Sequence, residues 1–348
     1  MRCLSLYKLF VFVIVLFGIE KLFAQKNDII RVAFWNFENF FDPFVDTTRH
    51  YNEFTEEGSQ HWTLSRFYKK RNNMYKAILS LSEGKPLAIL GICEVENTFV
   101  TSMLFNETPL KKHNYRVVHY EGEDRRGIDV ALVYSIDKLQ LIKSDVIHIR
   151  DPDNKKYRTR DILYAKFYDR GEDTLHCFVN HWPSRYGGER ETIYLRNIAA
   201  ETLKRKIDSL VKMNDKIPKI IVMGDFNDSP YDESIIKYLG AVPYKDKIRS
   251  DTLINLFADD KTLGFKGTLK HQYQWQTFDQ IIVSASLLDN LGTIRYVDES
   301  ASIFHDDYLF VKDETYGGVK LFRTYIGPKY QGGYSDHLPI YIDLEIKK

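Results

Sequence analysis

Six short apolar runs in this 348-residue chain carry a polar, chemically capable residue at one end. Val32–Trp35 leads into Asn36, Leu87–Cys93 into Glu94, His176–Val179 into Asn180-His181, and Ile220–Gly224 into Asp225-Phe226-Asn227. The order is reversed in the last two, where Asp279 opens Gln280–Val283 and Ser335-Asp336-His337 opens Leu338–Tyr341. Read as strands, the first four end and the last two begin at one rim of a sheet. That requires the last two to run antiparallel to the others, so a mixed sheet is expected. Carboxylates, amides and two histidines then meet at one edge of the core, a combination suited to a hard metal ion with an acid and a base beside it.

The N-terminus reads as a signal peptide. Arg2 and Lys8 precede or enter an apolar run, Leu9 to Ile19, and Leu22-Phe23-Ala24 provides a cleavage site that leaves Gln25 first. An uncleaved anchor is the alternative, although the run is short for a full span. No cysteine follows at a lipoprotein-like spacing. The expected organisation is therefore residues 1–24 as signal and 25–348 as one domain, secreted or periplasmic, without a stable membrane anchor after cleavage. Removing Arg2, Lys8, Lys21 and Glu20 leaves 46 basic and 47 acidic residues, so a basic, non-specific nucleic-acid binder is disfavoured. A turnover enzyme gripping a few phosphates remains compatible. Cys93 and Cys177 both sit inside apolar runs; buried free thiols are favoured over a disulfide between them.

No repeat, low-complexity tract or Pro/Gly/Ser-rich linker divides the chain. Leu64, Phe67, Arg71, Met74, Tyr75, Ile78 and Leu81 predict a helix from Thr63 to Ser82, with Thr63 as N-cap. Glu189–Lys212 and Glu233–Leu239 also read as helical. Strands are predicted at 29–37, 87–94, 115–120, 129–134, 162–168, 174–180, 220–224, 280–283 and 340–344. Many strands and few long helices fit two face-to-face sheets with helices outside, a four-layer α/β sandwich. The stretch from Ala285 to Gly333 is read as loops and turns near the site.

Taken in order, Trp35-Asn36, Cys93-Glu94-Val95-Glu96-Asn97, Asn180-His181-Trp182, Gly224-Asp225-Phe226-Asn227-Asp228, Phe278-Asp279-Gln280 and Ser335-Asp336-His337-Leu338-Pro339 resemble the endonuclease/exonuclease/phosphatase superfamily, which shares the deoxyribonuclease I fold. Each motif alone is weak, but six in the correct order are specific, and the resemblance runs from about residue 28 to the C-terminus. It implies a four-layer αββα sandwich of two mixed sheets. It also implies Glu94 as principal metal ligand, with Asn36 beside it and Asp336 as a further candidate. His337 matches the histidine that activates water, oriented by Asp279. Asp225 and Asn227 match the pair that positions the nucleophile and steadies phosphoryl oxygens, within a segment that is also turn-rich. His181 matches a second histidine of the deoxyribonuclease I-like branch that can protonate the leaving oxygen. Asp129 could orient His181, or simply face solvent.

The reaction so implied is metal-assisted phosphoester hydrolysis with Mg²⁺, or Mn²⁺ or Ca²⁺ in its place. Arg126, Arg160 and Arg185 are candidate phosphate clamps, set against the ordinary reading of each as a surface arginine. Arg185 leads them, four residues after His181 in a Gly-containing loop. The superfamily's fold does not choose the substrate. The signal sequence with His181 favours an extracellular nuclease on DNA or RNA, with Trp62, Trp182 and Tyr186 able to stack on bases or to pack. Lipid or small-molecule phosphoesters are the alternative. A membrane-contacting apolar hairpin could come only from Ile303-Phe304 and Tyr308–Phe310, interrupted by His305, Asp306 and Asp307. A catalytically inactive binding protein would be expected to lack a core residue, and none is missing. No protein partner can be inferred.

Overall fold

The computed structural model describes residues 27–45, 51–169, 173–214, 217–244, 249, 251–259 and 263–347. The expected signal sequence and part of the polar stretch after Asn36 lie outside these. Along the chain come β1 (Asp28–Phe40), α1 (Leu64–Leu81), β2 (Ile89–Val95), α2 (Thr98–Phe105), β3 (Tyr115–His119), β4 (Asp129–Ser135), β5 (Gln140–Ile147), β6 (Ile162–Tyr168) and β7 (Thr174–His181). They are followed by α3 (Glu189–Met213), β8 (Lys219–Asp225), a π-helical stretch (Ser234–Leu239), β9 (Ala241–Pro243), β10 (Leu253–Asn255), β11 (Leu269–His271), β12 (Gln274–Gln276) and β13 (Asp279–Ser284). The chain closes through β14 (Ile294–Tyr296), β15 (Ser302–Ile303), the paired β16 (Phe310–Lys312) and β17 (Val319–Leu321), the paired β18 (Tyr325–Ile326) and β19 (Lys329–Tyr330), and β20 (Ile340–Ile346).

The mixed sheet expected from the motif-bearing runs is two mixed sheets, each holding half of those runs. One has the order β14-β20-β1-β2-β4-β3, with β15 also on β20; the other is β5-β6-β7-β8-β13-β10-β9. β1 and β2 are parallel, as are β7 and β8, while β20 and β13 run antiparallel to their neighbours β1 and β8. Parallel neighbours need a long crossover, supplied by α1 between β1 and β2 and by α3 between β7 and β8. The rims of both sheets lie at one end of the sandwich, so the expected convergence of polar ends survives the division.

Side-chain alternation sorts each strand between two cores. On β1, Ile30, Val32 and Phe34 enter the core between the sheets, whereas Ala33, Trp35 and Phe37 enter the core under α1. On β8, Ile221 and Met223 face between the sheets, and Ile220 and Val222 face α3. The sheets approach closely at Gly91, where an added Cβ would stand 2.6 Å from Met223 Sδ. Cys93 and Cys177 are both free thiols in the inter-sheet core.

Thr63 caps α1 as expected, accepting from Arg66 N at 3.3 Å. Beside the short strands β9 to β12, two longer elements are not evident in the sequence. α2 has only eight residues, too few to show a period, although Asn97 caps it by accepting from Val100 N at 3.2 Å. β5 is an edge strand with mostly partial exposure, so it shows no clean alternation. The 285–333 stretch contains six short strands rather than loops alone; β14 and β15 extend the first sheet. No described helix is long and apolar enough to cross a membrane.

Candidate active site

The parity that builds the inter-sheet core also delivers the site. Continuing each inward-facing series past the apolar residues brings Asn36 on β1, His181 on β7, Asp225 on β8 and Asp279 on β13 to the same cleft. Asn180 has the opposite parity. It donates to Met223 O at 3.2 Å and accepts from Trp182 Nε1 at 3.1 Å, so it serves the scaffold.

Glu94 breaks the parity rule and is re-aimed by a bulge. Cys93 pairs with Val130 and Val95 with Asp129, leaving Glu94 unpaired against β4 with φ +59°. Across β1 the same residue faces residues 37–39, of which Glu38 and Asn39 have φ of +48° and +53°. The left-handed turn points Asn39 N at Glu94 Oε2, 2.8 Å away, which fixes the carboxylate.

Around Asp225 the polar groups close up. Asn36 Nδ2 donates to Asp225 Oδ2 at 3.0 Å and lies 3.4 Å from Glu94 Oε1. His181 Nε2 stands 3.7 Å from Asp225 Oδ2 and 3.8 Å from Glu94 Oε1. His337 Nε2 approaches the same Asp225 oxygen at 3.8 Å from the other side, while its Nδ1 is 2.6 Å from Asp279 Oδ2. Asn227 N donates to Asp225 Oδ1 at 2.9 Å, and Asn227 Nδ2 to Trp182 O at 3.0 Å. The Ser335-Asp336-His337 segment is pinned to β1: Ser335 Oγ donates to Asn36 O at 2.6 Å, and Trp35 Nε1 to His337 O at 2.8 Å.

The two imidazoles are pushed in opposite directions. Burial alone would lower His337, but the Asp279 and Asp225 carboxylates together hold it well above the ordinary histidine range. Burial drives His181 well below that range, helped by the charges of Arg160, Arg126 and His337. Asp225 is raised to about 6 by burial, with Asp279 adding to the rise and His337 opposing it. Near neutral pH the metal-free site therefore holds a charged His337 and a neutral His181.

Several expected residues are placed differently. The Asp336 carboxylate is held by Arg323 Nη2 at 2.8 Å, a partner that competes with any metal for it. Arg185 is engaged by Asp228 (2.9 Å), Asp232 (2.6 Å) and Glu189 (2.6 Å) and lies over the Phe278 ring, so it braces the Asn227 turn. Arg160 is buried, donating to Trp182 O at 2.7 Å and lying 3.4 Å from Asp124. Arg126 is the most exposed of the three. Asp129 does not orient His181: its Oδ2 lies 3.3 Å from His119 Nε2, and His181 Nδ1 makes no hydrogen bond. Trp62 and Trp182 are wholly buried and pack in the cores, leaving Tyr186 as the exposed ring.

Behind the cleft lies a network absent from the sequence reading. Glu38, buried under the bulge, accepts from Arg323 Nε (3.0 Å), Thr324 N (2.6 Å) and Tyr325 N (3.3 Å). Lys70 of α1 donates to Glu38 O (2.7 Å), Tyr334 O (3.2 Å) and Thr324 Oγ1. The available signal was a charged residue inside an aromatic run, Phe37-Glu38-Asn39-Phe40-Phe41.

The donor set suits a divalent cation. Glu94 Oε1 and Asp225 Oδ2 both converge on the Asn36 amide and on the neutral His181 imidazole, and of the two carboxylates Asp225 also faces His337. Hard oxygen donors of this kind fit Mg²⁺. Asp225, Asp279 and His337 also bring donor atoms within 4.8 Å of one another, but Asp279 is already engaged by His337.

The model of the endonuclease/exonuclease/phosphatase family matches residues 31–346. Among solved structures, the chain is similar to a family member from Bacteroides thetaiotaomicron, at 14% identity over 92% of this chain and 99% of that one, with a TM-score of 0.56. The catalytic domain of human Nocturnin is similar at 16% identity over 92% and 98%, TM-score 0.54. A Bacteroides thetaiotaomicron mannosyl-6-phosphatase is similar at 14% identity over 90% and 99%, TM-score 0.54. At these identities the structures show a shared fold. No curated protein sequence matches the chain. The family match over almost the whole described sequence shows that the chain belongs to the endonuclease/exonuclease/phosphatase family and is a metal-dependent phosphoric ester hydrolase.

Proposed function

We propose that this protein is a secreted, Mg²⁺-dependent phosphodiesterase that hydrolyses nucleic-acid phosphodiester bonds. The observation that carries the reading is the pair of imidazoles flanking Asp225 Oδ2, at 3.7 and 3.8 Å, beside Glu94 and Asn36. Glu94 and Asn36 would hold the metal, with Asp225 at its edge. Bound there, the ion would polarise a phosphoryl oxygen and offset the carboxylate field that keeps His337 protonated. His337, fixed in tautomer by Asp279, takes the proton from the attacking water. Asp225 orients that water, and Asn227 steadies the phosphoryl group. His181, neutral and 3.8 Å from Glu94, donates a hydrogen bond to the departing oxygen, which takes its proton from solvent water. Arg126 is the arginine best placed to receive an adjoining phosphate.

A second reading, a small-molecule phosphoester hydrolase, is favoured by a different observation. Arg160 and Arg185 are already paired with acids, and the mature chain carries no basic excess to track a long polyanion. The apolar stretch considered for membrane contact supports this reading no further, because Ile303 and Leu309 are buried.

The test is hydrolysis of plasmid DNA, single-stranded RNA, bis-p-nitrophenyl phosphate and p-nitrophenyl phosphate, each with Mg²⁺, Mn²⁺ or EDTA. Metal-dependent cleavage of DNA or RNA supports the nuclease. Turnover of the monoester with intact nucleic acid would replace it with the second reading.

A further inference from the structure

We propose a second metal site, for a borderline divalent ion such as Zn²⁺, formed by His119, Glu121 and Asp129 at the mouth of the β3–β4 hairpin. One donor atom from each lies within 4.8 Å of the others. His119 pairs with Ala131 across the ladder, and Asp129 stands two residues from Ala131 on the same strand face. Glu121 follows in the loop after β3, with its carboxylate in the same group of donors. Ala131 belongs to the core under α1, so this face is opposite in parity to the one that presents Asn36 and Asp225. The site is distinct from the catalytic cleft.

Two buried donor atoms point to an ion. The His119 and Asp129 side chains are only 2% and 5% exposed, and their Nε2 and Oδ2 atoms stand 3.3 Å apart. The two atoms face each other as an ion pair without the geometry of a hydrogen bond, and no other group donates to or accepts from them. Buried polar atoms are rarely left this way. Ligands held at about 2.0–2.1 Å on a tetrahedral centre stand about 3.3 Å from one another, which is the spacing seen. Asp129 Oδ1 is meanwhile held by Gly122 N at 3.0 Å, the kind of supporting contact that aims a ligating carboxylate. Gly122 is also the residue that makes room: a Cβ there would lie 2.5 Å from Asp129 Oδ1. One imidazole and two carboxylates leave a fourth position for water.

The consequence is a clip at the base of the 120–128 loop. That loop carries Arg126, whose backbone N is bonded to Asp124 at 2.9 Å, and Asp124 in turn reaches Arg160. An ion joining residues 119, 121 and 129 would hold this loop at the rim of the catalytic cleft.

The test is metal retention rather than turnover. The purified protein is stripped with chelator and desalted into excess Mg²⁺ to satisfy Glu94. It is then titrated with Zn²⁺, with bound metal counted by mass spectrometry and Co²⁺ absorption read in parallel. One equivalent is expected in the wild type and in Glu94→Gln. Affinity should fall at least tenfold in His119→Ala, Asp129→Asn and Gly122→Ala, and less in Glu121→Gln, whose side is exposed. Thermal melts identify any variant that fails to fold, in which case Glu121→Gln decides. No retained ion in the wild type, undiminished affinity in the folded variants, or loss of the ion in Glu94→Gln would overturn the proposal.

Discussion

Replacing Asp279 by Asn should lower activity more than it lowers stability, if the proposed mechanism holds. The carboxylate is completely buried on β13, and its Oδ2 lies 2.6 Å from His337 Nδ1, while Oδ1 makes no hydrogen bond. Asn keeps the volume and removes the charge that stabilises imidazolium and fixes the tautomer. General acid–base catalysis contributes about 10²–10⁴-fold, so kcat/KM should fall by that factor, about 3–5.5 kcal/mol of transition-state stabilisation. Stability carries a second signature. In EDTA the folded His337 titrates above its unfolded value, so its contribution is fully present below about pH 6.5 and is lost as pH rises through the raised value. Without the Asp279 charge that alkaline loss should shrink. The assay is kcat/KM on bis-p-nitrophenyl phosphate with Mg²⁺, beside thermal melts from pH 6 to 9 in EDTA. Activity within tenfold of wild type, or an unchanged dependence of Tm on pH, would refute the reasoning.

Gly224→Ala should destabilise by about 3 kcal/mol or more, read by chemical denaturation, because its Cβ would collide with the rigid Asn180 carbonyl where β7 and β8 run side by side. Lys70→Ala should cost about 3–5 kcal/mol by leaving the buried Glu38 cluster short of a cation; a change in denaturation midpoint equivalent to less than about 1 kcal/mol would show the network is idle. His176 is buried against Tyr164, their Nδ1 and Oη 2.8 Å apart, and burial lowers it from 6.5 to about 4. Its contribution is full above about pH 6.5 and fades as pH falls toward 4, about 3 kcal/mol in all. His176→Phe should flatten that acid limb of the stability curve; an identical limb would assign it to other groups.

Much of the site was legible because a strand's parity is written in its sequence. Asn36, His181, Asp225 and Asp279 each continue an alternating series of inter-sheet core residues, so identifying the strands identifies their direction. Glu94 could be found by its position at a run's end but not by parity, since only the bulge turns it inward. Arg185 shows the opposite case. Its loop position suggested a phosphate clamp, but Asp228 and Asp232 of the turn after β8 gather around it after folding, beside its neighbour Glu189. Trp62 and Trp182 looked available for stacking until the cores closed over them. β5 and α2 were missed because neither is long or periodic enough to signal itself.

The sequence by itself determined the alternating strands, the two crossover helices and the polar residue at each strand's end, because these depend on local periodicity. The tertiary structure alone decided that the ends divide between two sheets, that Arg185 is taken up by Asp228 and Asp232, and that His119 rather than His181 meets Asp129. Those pairings join residues ten or more positions apart, and their partners are set by register and packing, which no local pattern encodes.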